Sequence, residues 1–419
     1  MRATSVGDDC SRRDTCRLCG GAALVNVFSL APTPLANAFV TREALGQEQR
    51  RYPLDVFFCE SCGHLQLLDV IDPVALYEHY VYVSGTSPVF VKHFKEYADY
   101  VTDNFLPPTG GLVVDIGSND GTLLRFFKES GRKVLGVDPA QEIAERTRAS
   151  GIPTVVDFFT PTLADQIRGE HGPASVITSN NLIAHIDDLA AVMEGIRRLL
   201  APDGVFVFEV SYLVDVVEKT LFDMIYHEHL DYHSVMPLIG FFSRCGLELI
   251  DAVRVDTHGG SLRGVVQRKG GQRRVGPSVA RAVAQEQAMG LNKAGTFRTF
   301  AAHIETLKTE LIGLLRQLKA DGKRIAGFGA PAKTTTLMYH FGFEPGMIDF
   351  IVDDSPLKQG HFTPGMHIPV LPAQQLYERR PDFAIILAWN FAGPIMAKHA
   401  AFREAGGRFI IPLPKVEVV

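Results

Sequence analysis

The sequence has little excess charge and no long hydrophobic run. Its 42 lysines and arginines are outnumbered by 47 aspartates and glutamates, which leaves a formal net charge of −5. A chain without a basic excess lacks the field that gathers phosphate backbones or anionic lipids, so we expect no nucleic acid partner and no membrane partner. The start, MRATSVGDDCSRRD, has no apolar core for a signal peptide, and runs such as GVFVFEV are far too short to cross a bilayer. We therefore expect a cytoplasmic protein.

Low-complexity tracts and short-period repeats are also lacking. With 419 residues, 46% hydrophobic content and 21% charged content, the chain has the composition of a globular protein with a large core, and its length suggests about three domains. The basic, glycine-rich QRKGGQRRVGPS is typical of a linker. We expect domains at residues 1–74, 75–267 and 268–419. The sequence does not fix the oligomeric state, and a monomer is the working expectation.

Cysteine is scarce, and its arrangement is specific. Four of the six cysteines form two pairs with two residues between the members, in CRLC and CESC. This spacing is typical of a closed tetrahedral zinc site, whose ligands would be Cys16, Cys19, Cys59 and Cys62. Disulfides are the alternative, which a reducing compartment disfavours, and His64 in CGHLQL could replace one thiolate. Four protein ligands leave no open position, so the predicted role of zinc is to hold an N-terminal domain together.

Strand and helix patterns alternate after this region. LVVDIGSNDGTLLRFFKESGRKVLGVDPA indicates strand, glycine turn, helix and strand, and SVITSN and GVFVFEV are two further strands around the helical LAAVMEGIRRLL. Alternation of this kind predicts a parallel, doubly wound sheet. Beyond the linker, RIAGFGAPAKTTTLMYH, IDFIVDDSP, HIPVL, FAIILAW and RFIIPLP repeat the alternation. They predict a second, smaller Rossmann-like α/β domain.

The glycine turn of the first α/β domain lacks the middle glycine of a dinucleotide fingerprint. In DIGSNDG, Asp115 ends the strand, and Gly117, Ser118, Asn119 and Gly121 follow. The fingerprint G-x-G-x-x-G lets backbone approach a pyrophosphate at a helix N-terminus, which an acid here would repel. The same acid suits the cationic aminocarboxypropyl sulfonium of S-adenosylmethionine. The turn therefore predicts a methyltransferase fold, with a generic doubly wound domain as the alternative.

Residues after the next strands extend the predicted cofactor site. The acid that ends VLGVD is placed to accept both hydroxyls of a ribose. The acid and first phenylalanine of VVDFF are candidates to hydrogen-bond and pack against adenine, and the two asparagines of TSNNLIAHI end a strand at the switch-point side of the sheet. These predicted cofactor contacts are Asp138, Pro139, Asp157, Phe158, Asn180 and Asn181.

Three of the fourteen histidines fall in FDMIYHEHLDYHS. The zinc-protease spacing H-E-x-x-H fails there, because Asp231 stands where the second histidine is needed. His227 and His229 would face one way on a strand. His229 also lies next to Glu228 and three residues from Tyr226. A histidine, a carboxylate and a phenol are the parts of a general-base site that removes a proton and stabilises an oxyanion.

Motifs along nearly the whole chain resemble a known family. CRLC with CESC, DIGSNDG, SNNLIAHI, YHEHLDYHS, THGGSLR, GFGAPAKTTTL and VDDSPLKQGHFTPGMHIPV resemble the S-adenosylmethionine-dependent sugar C-3'-methyltransferases of antibiotic deoxysugar pathways, most of all their tetronitrose branch. The resemblance implies methyl transfer to carbon 3 of a dTDP-linked 4-keto deoxysugar, with dTDP-3-amino-2,3,6-trideoxy-4-keto-D-glucose as the expected substrate. Relatives commonly read AKGNTLL where this chain reads AKTTTLM. The contacts of Thr334, Thr335 and Thr336 need not follow the family.

The resemblance also implies roles for single residues. His229 is the expected base, Tyr226 is placed to donate to the enolate oxygen, and Glu228 orients a histidine or binds a substrate amine or hydroxyl. Tyr80 and His185 resemble further active-site residues; packing on the cofactor and a helix-start hydrogen bond are their respective alternatives. A ketone at carbon 4 makes the carbon-3 hydrogen acidic, so the chemistry needs a base and an oxyanion stabiliser but no metal.

The predicted substrate contacts lie partly in the C-terminal domain. GAPAK after the strand RIAGF would present backbone N–H groups and Lys333 to a diphosphate, and Lys358 in SPLKQG would add charge. His258 in the HGGS turn is a further candidate for the cleft, beside Tyr226. A glycine turn followed by lysine is also common on α/β surfaces without a ligand. O- or N-methylation of another small metabolite, and zinc-knuckle binding without catalysis, are the alternative functions.

Overall fold

A computed structural model describes residues 4–7, 9–73, 76, 88–257 and 259–419. Two predicted site residues, Tyr80 and His258, lie outside these ranges. Strands β1–β20 of the described residues are Thr4–Gly7, Cys10–Arg12, Leu24–Thr33, Tyr52–Cys59, Leu65–Leu67, Asp69–Ile71, Leu112–Ile116, Lys133–Val137, Thr154–Val155, Ala174–Asn180, Leu200–Ser211, Asp231–Tyr232, Leu247–Val255, Ser261–Arg268, Ile325–Phe328, Ile351–Val352, Val370–Leu371, Phe383–Ile386, Arg408–Ile411 and Glu417–Val418.

Helices connect most of these strands. Helices α1–α13 of the described residues are Pro88–Phe105, Thr122–Glu129, Gln141–Ala149, Pro161–His171, Leu189–Leu199, Leu213–Glu218, Val235–Arg244, Pro277–Ala288, Ala294–Ala320, Lys333–Phe341, Gln375–Arg379, Ala392–Lys398 and Ala400–Glu404. Short 3-10 helices span Arg42–Ala44, Ile183–His185, Phe222–Met224 and Trp389–Phe391. Within the described ranges, no helix combines the length and the apolar character that crossing a bilayer requires.

Two small sheets form the N-terminal region. β1, β2 and β6 make one, and β3, β4 and β5 make the other, which β12 extends. In that extension, Asp231 pairs with Gln66 and Tyr232 with Leu65. The end of the histidine motif is therefore a strand of the N-terminal sheet, although the motif lies more than 150 residues further along the chain.

The first two histidines of the motif do not lie on a strand, contrary to the prediction. Residues Phe222–Met224 form a 3-10 helix, and β12 begins only at Asp231. The prediction that His227 and His229 face one way on a strand is therefore wrong. A turn closed by the bond from His229 N to Tyr226 O, 2.8 Å long, sends the two side chains to different neighbours.

The central sheet has the strand order β13-β14-β11-β10-β7-β8-β9. Its strands from β11 to β9 are parallel, as predicted. β14 runs antiparallel to both β11 and β13, so two antiparallel strands that the sequence did not predict extend the parallel sheet at this edge. The connection between β13 and β14 is too short for the crossover that parallel pairing needs.

Helices cover both faces of this sheet. Within β7, Val113 belongs to a buried cluster with Tyr97 of α1, whereas its neighbour Val114 belongs to a cluster with Leu163 of α4 and Met193 of α5. Successive residues of a strand point to opposite faces, so a β7 buried on both sides reads as the continuous apolar run seen in the sequence. The doubly wound fold is confirmed, and the carboxyl ends of its parallel strands form one edge.

The C-terminal sheet has the order β17-β16-β15-β18-β19-β20 and is parallel except for β20. It confirms the second Rossmann-like domain. Helix α10, which follows β15, contacts β3 of the N-terminal region and the 3-10 helix Phe222–Met224 of the histidine motif. The motif is thus enclosed by all three parts of the chain.

Candidate active site

The four paired cysteines converge on one point. The Sγ atoms of Cys16, Cys19, Cys59 and Cys62 lie within 4.8 Å of one another, with 3.7 Å between Cys16 and Cys62 and 3.5 Å between Cys19 and Cys59. Four Zn–S bonds of standard length place tetrahedral sulfurs about 3.8 Å apart, so the set fits zinc without an open position. His64 lies elsewhere, with Nε2 2.5 Å from Oδ1 of Asp231.

A cavity of about 480 Å³ lies at the carboxyl ends of the parallel strands. Ten of the eleven predicted cofactor residues line it, namely Asp115, Gly117, Ser118, Asn119, Asp138, Pro139, Asp157, Phe158, Asn180 and Asn181. The exception is Gly121. Its φ is +71°, and a Cβ there would lie 2.8 Å from Thr147 Cγ2, so the glycine is explained as part of the turn into α2. The volume is typical of a small-molecule site.

Two of the aspartates that line the cavity, Asp115 and Asp138, are buried. Asp115 accepts a 2.6 Å hydrogen bond from the Thr178 hydroxyl, and burial raises the pKa of Asp115 to about 7. Asp138 accepts hydrogen bonds from the backbone N–H groups of Asn119, at 2.8 Å, and Ala140, at 2.9 Å. Burial raises the pKa of Asp138 as well. Each Asp138 oxygen keeps a second lone pair with which to accept from a ribose hydroxyl.

An exposed aromatic ring also lines the cavity. Phe158 is 50% exposed there, and its N–H donates to Oδ1 of Asp157 at 2.8 Å. A half-exposed phenylalanine at the mouth of a cavity has a large apolar surface for a flat ring to cover. The arrangement fits the adenine contact predicted for this pair.

The hydrogen bonds of His229 fix its tautomer. Nδ1 lies 2.7 Å from the carbonyl oxygen of Met224, which can only accept, so Nδ1 carries the hydrogen and donates. Nε2 therefore has the lone pair and accepts from the Tyr226 hydroxyl at 3.0 Å. Burial lowers the pKa of His229 to about 4, against the opposing effect of the Met224 carbonyl. The imidazole is neutral at ordinary pH, with a basic nitrogen beside a phenol.

Glu228 is held from the N-terminal region. Its Oε1 accepts a 2.7 Å hydrogen bond from Nδ2 of Asn37, in the loop after β3. Burial raises the pKa of Glu228 to about 7, and the Asn37 amide opposes that rise. The carboxyl group therefore changes protonation near neutral pH, and a positive charge beside it would favour the carboxylate.

His185 lies between the cavity and His229. It lines the cofactor cavity, and its ring centroid lies 4.8 Å from that of His229 in an edge-on contact. Burial, followed by the neighbouring His229, lowers the pKa of His185 well below its ordinary range. Tyr226 also packs against His229, with ring centroids 4.1 Å apart. The predicted residues Tyr226, His229 and His185 are thus brought together next to the cofactor cavity, whereas the contact recorded for Glu228 is with Asn37.

The other two histidines of the motif face away from this site. His227 is buried, and its Nε2 lies 3.2 Å from the carbonyl oxygen of Tyr52. His233 is buried against His64, with ring centroids 5.6 Å apart. Both contacts hold the motif against the N-terminal region.

The two predicted phosphate lysines have partners inside the protein. Lys333, at the start of α10, is 5% exposed, with Nζ 3.6 Å from Asp223 Oδ2 and 4.1 Å from the Trp389 ring centroid. Burial lowers the pKa of Lys333, and Asp223 opposes this. Lys358 Nζ donates to the carbonyl oxygen of Ala330 at 2.8 Å. Both ammonium groups therefore lie at the turn between β15 and α10.

Two threonines of the AKTTTLM segment make contacts between domains. Thr335 Oγ1 donates to the carbonyl oxygen of Ala36 at 3.3 Å, and Thr336 Oγ1 donates to that of Ile225 at 2.9 Å. Ile225 immediately precedes Tyr226. Thr336 therefore helps to hold the loop that carries Tyr226 and His229, while Thr335 contacts the N-terminal region.

Three known domain families match consecutive parts of the chain. A zinc binding domain matches residues 16–77, a methyltransferase domain matches 90–252, and a C-methyltransferase C-terminal domain matches 256–414. Along its length the chain is 36% identical over 406 residues to the C-methyltransferase NovU of Streptomyces niveus, which covers 97% of both chains. The chain belongs to the C-methyltransferase family.

Other relatives share only part of this C-methyltransferase. A ubiquinone biosynthesis O-methyltransferase of Xylella fastidiosa is 24% identical over 170 residues, which covers 36% of this chain and 67% of the relative. The solved structure of the CcbJ methyltransferase of Streptomyces caelestis has a TM-score of 0.35 and 16% identity, and covers 47% of this chain and 96% of that one. A likeness at this level supports no inference by itself.

Membership in this family decides between the functions left open by the sequence. The protein is an S-adenosylmethionine-dependent C-methyltransferase, and its four-cysteine cluster is a structural zinc site. The alternative of a zinc-knuckle binding protein without catalysis is wrong, because the similarity to a C-methyltransferase extends over the whole chain.

Asp115 predicts a pH dependence of cofactor binding. Its pKa of about 7 means that the carboxylate, which we expect to attract the ammonium and sulfonium charges of S-adenosylmethionine, is present above pH 7 and is lost as the pH falls through 7. We expect S-adenosylhomocysteine, which keeps the ammonium, to bind about tenfold more weakly at pH 6 than at pH 8. Calorimetric titration of the Asp115→Asn variant should give weaker but pH-independent binding. If the affinity of this variant for S-adenosylhomocysteine still depended on pH, the pH dependence would belong to another group.

Proposed function

We propose that this C-methyltransferase transfers a methyl group from S-adenosylmethionine to carbon 3 of a dTDP-linked 4-keto deoxysugar, in antibiotic sugar biosynthesis. The expected substrate is dTDP-3-amino-2,3,6-trideoxy-4-keto-D-glucose. The observation that carries the proposal is the fixed tautomer of His229, whose basic Nε2 lies 3.0 Å from a phenol and whose ring contacts a residue of the cofactor cavity. Carbon methylation needs such a base, because a saturated sugar carbon is not nucleophilic.

In the first step, His229 Nε2 removes the proton from carbon 3, and the C–H electron pair is delocalised onto the carbonyl oxygen at carbon 4. Tyr226 then donates its hydroxyl hydrogen to this oxygen instead of to Nε2. A pKa of about 4 makes His229 a weak base before the reaction. The imidazolium that forms faces the negative charge that it has created, which raises its pKa during the step.

S-adenosylmethionine supplies an electrophilic methyl carbon: carbon 3 forms the new C–C bond while the C–S bond breaks, and the carbonyl is restored. The chain's task is to hold donor and acceptor in line, a proximity effect that the adjacent His185 and cofactor cavity support. His229 returns to its neutral form when its proton passes to solvent.

Substrate groups are assigned to the remaining residues. Glu228, with a pKa near 7, suits the amine at carbon 3, because an ammonium group would convert it to the carboxylate. Lys333 and Lys358 at the β15–α10 turn are assigned to the diphosphate. For Lys333 this requires exchange of its contact with Asp223. Tyr80 and His258 complete the proposed set of active-site and cleft residues.

The requirement for a carbonyl tests the proposal. Labelled S-adenosylmethionine is incubated with the dTDP-4-keto sugar and, separately, with its 4-hydroxy counterpart. We expect label transfer only to the ketone, because without the carbonyl no carbanion is stabilised. Equal rates with both sugars would contradict carbon methylation through an enolate.

A further inference from the structure

The two active-site histidines are carried by separate segments that meet through their neighbours. His185 ends the 3-10 helix Ile183–His185, and His229 precedes β12. The N–H of Leu230 donates to the carbonyl oxygen of Ala184 at 2.7 Å. The residue after one histidine is thus bonded to the residue before the other. The distance between the two rings depends on whatever holds these segments together.

Arg17, in the first zinc knuckle, spans both segments. It stands between Cys16 and Cys19, and its side chain is fully buried. Its Nε donates to Oδ1 of Asp187 at 2.9 Å, two residues after His185. Its Nη1 reaches the carbonyl oxygen of Leu230 at 3.5 Å, next to His229. One rigid guanidinium therefore touches the chain on both sides of the histidine pair.

Further contacts fix the position of the Arg17 side chain and of the loop that carries it. Nη1 of Arg17 also donates to the carbonyl oxygen of Leu67, and Nε lies 4.0 Å from Oδ2 of the buried Asp231. The knuckle backbone is closed by the bonds from Gly20 N to Cys16 O and from Cys16 N to Gly21 O, 2.8 and 2.9 Å long. Zinc bound to Cys16 and Cys19 would hold both ends of this short loop.

Two arginines of the zinc domain donate hydrogen bonds to the Asp187 carboxylate. Nη1 of Arg13 donates to its Oδ2 at 2.9 Å, while Arg17 occupies Oδ1. Asp187 also lines the cofactor cavity. The carboxylate therefore transmits the position of the zinc domain to the wall of the cofactor site as well as to His185.

We infer that Arg17 is a positioning residue through which the zinc domain sets the spacing of His185 and His229 and shapes the cofactor cavity. The zinc domain then does more than hold itself together. The effect on turnover rests on the proposed function, whereas the effect on cofactor affinity does not. Loss of a side chain far from the reacting atoms can cost up to about 100-fold in rate when it misplaces catalytic groups.

The test compares Arg17→Gln with Arg12→Gln in the full-length, zinc-loaded enzyme. Arg12 is a matched control, because it lies in the same domain but contacts Asp55 and Asp69 instead. We expect Arg17→Gln to keep its zinc but bind S-adenosylhomocysteine about tenfold more weakly and turn over 10- to 100-fold more slowly. Arg12→Gln should behave as wild type. Wild-type affinity and turnover in a folded Arg17→Gln enzyme would overturn the inference.

Two further variants decide cases that Arg17→Gln leaves ambiguous. In the double variant with Asp187→Asn, the loss of binding free energy for the cofactor should be smaller than the sum of the losses in the two single variants, whereas additive losses would contradict the bridge. If Arg17→Gln does not fold, the partly exposed Arg13→Gln replaces it, with about a threefold loss of affinity expected and no loss counting against the inference. If the wild type fails to methylate the ketosugar while these affinity changes hold, only the proposed function is wrong.

Discussion

His229→Asn is expected to lower kcat by about 100- to 10,000-fold, the usual range for loss of a general base. Asparagine has no basic nitrogen, so the carbon-3 proton stays in place. His229 is not among the residues that line the cofactor cavity, so the affinity for S-adenosylhomocysteine should change by less than about twofold. Transfer of a labelled methyl group gives the first quantity, and calorimetric titration gives the second.

The matched control is His227→Asn, the same substitution two residues earlier. His227 contacts the carbonyl oxygen of Tyr52 and not the cofactor cavity, so we expect turnover in its folded enzyme to stay within about tenfold of wild type. Equal losses in the two variants would assign them to a disturbed loop. Undiminished turnover in His229→Asn would remove this residue from the base role.

Cys59→Ser is expected to lose the zinc ion and to lower the free energy of unfolding by more than about 4 kcal/mol, as for loss of a structural metal. Cys59 is fully buried at the end of β4, with its Sγ 3.5 Å from that of Cys19. The sequence alone predicts unchanged chemistry in whatever enzyme survives. The contacts of Arg17 predict instead that cofactor affinity falls together with the zinc content.

Cys245→Ser serves as the control for this prediction. Cys245 lies at the end of α7 and is not part of the zinc cluster, so the variant should keep one zinc ion per chain. Metal analysis and thermal unfolding of both variants provide the comparison. A fully active Cys59→Ser enzyme with one mole of zinc per chain would contradict the four-cysteine site.

Strands could be predicted where the hydrophobic pattern of the segment itself identifies them. β7 reads as a continuous apolar run because both of its faces are buried, and the turn after it can be identified from its acid and its glycines. The antiparallel edge of β13 and β14 was not predicted, because the HGGS turn between them was interpreted only as part of the cleft. β12 has only two residues, and its pairing with β5 depends on a contact between distant parts of the chain.

The site was predictable to the extent that its residues lie in motifs. Glu228 and His229 stand in a cluster of unusual composition, whereas Asn37, which holds Glu228, lies 191 positions away in a loop without special composition. In the sequence, nothing distinguishes Arg17 from any other residue between two paired cysteines. Its partner Asp187 is 170 positions distant, and no local pattern connects the two.

The fate of the hydrogen on carbon 3 tests the central claim most directly. The dTDP-4-keto sugar is prepared with deuterium at carbon 3 and incubated with S-adenosylmethionine and enzyme in ordinary water. The mass of the methylated product is then measured by mass spectrometry. Removal of this atom by His229 predicts a product that contains the new methyl group and no deuterium. A methylated product that keeps its deuterium would place the methyl group elsewhere and contradict the mechanism.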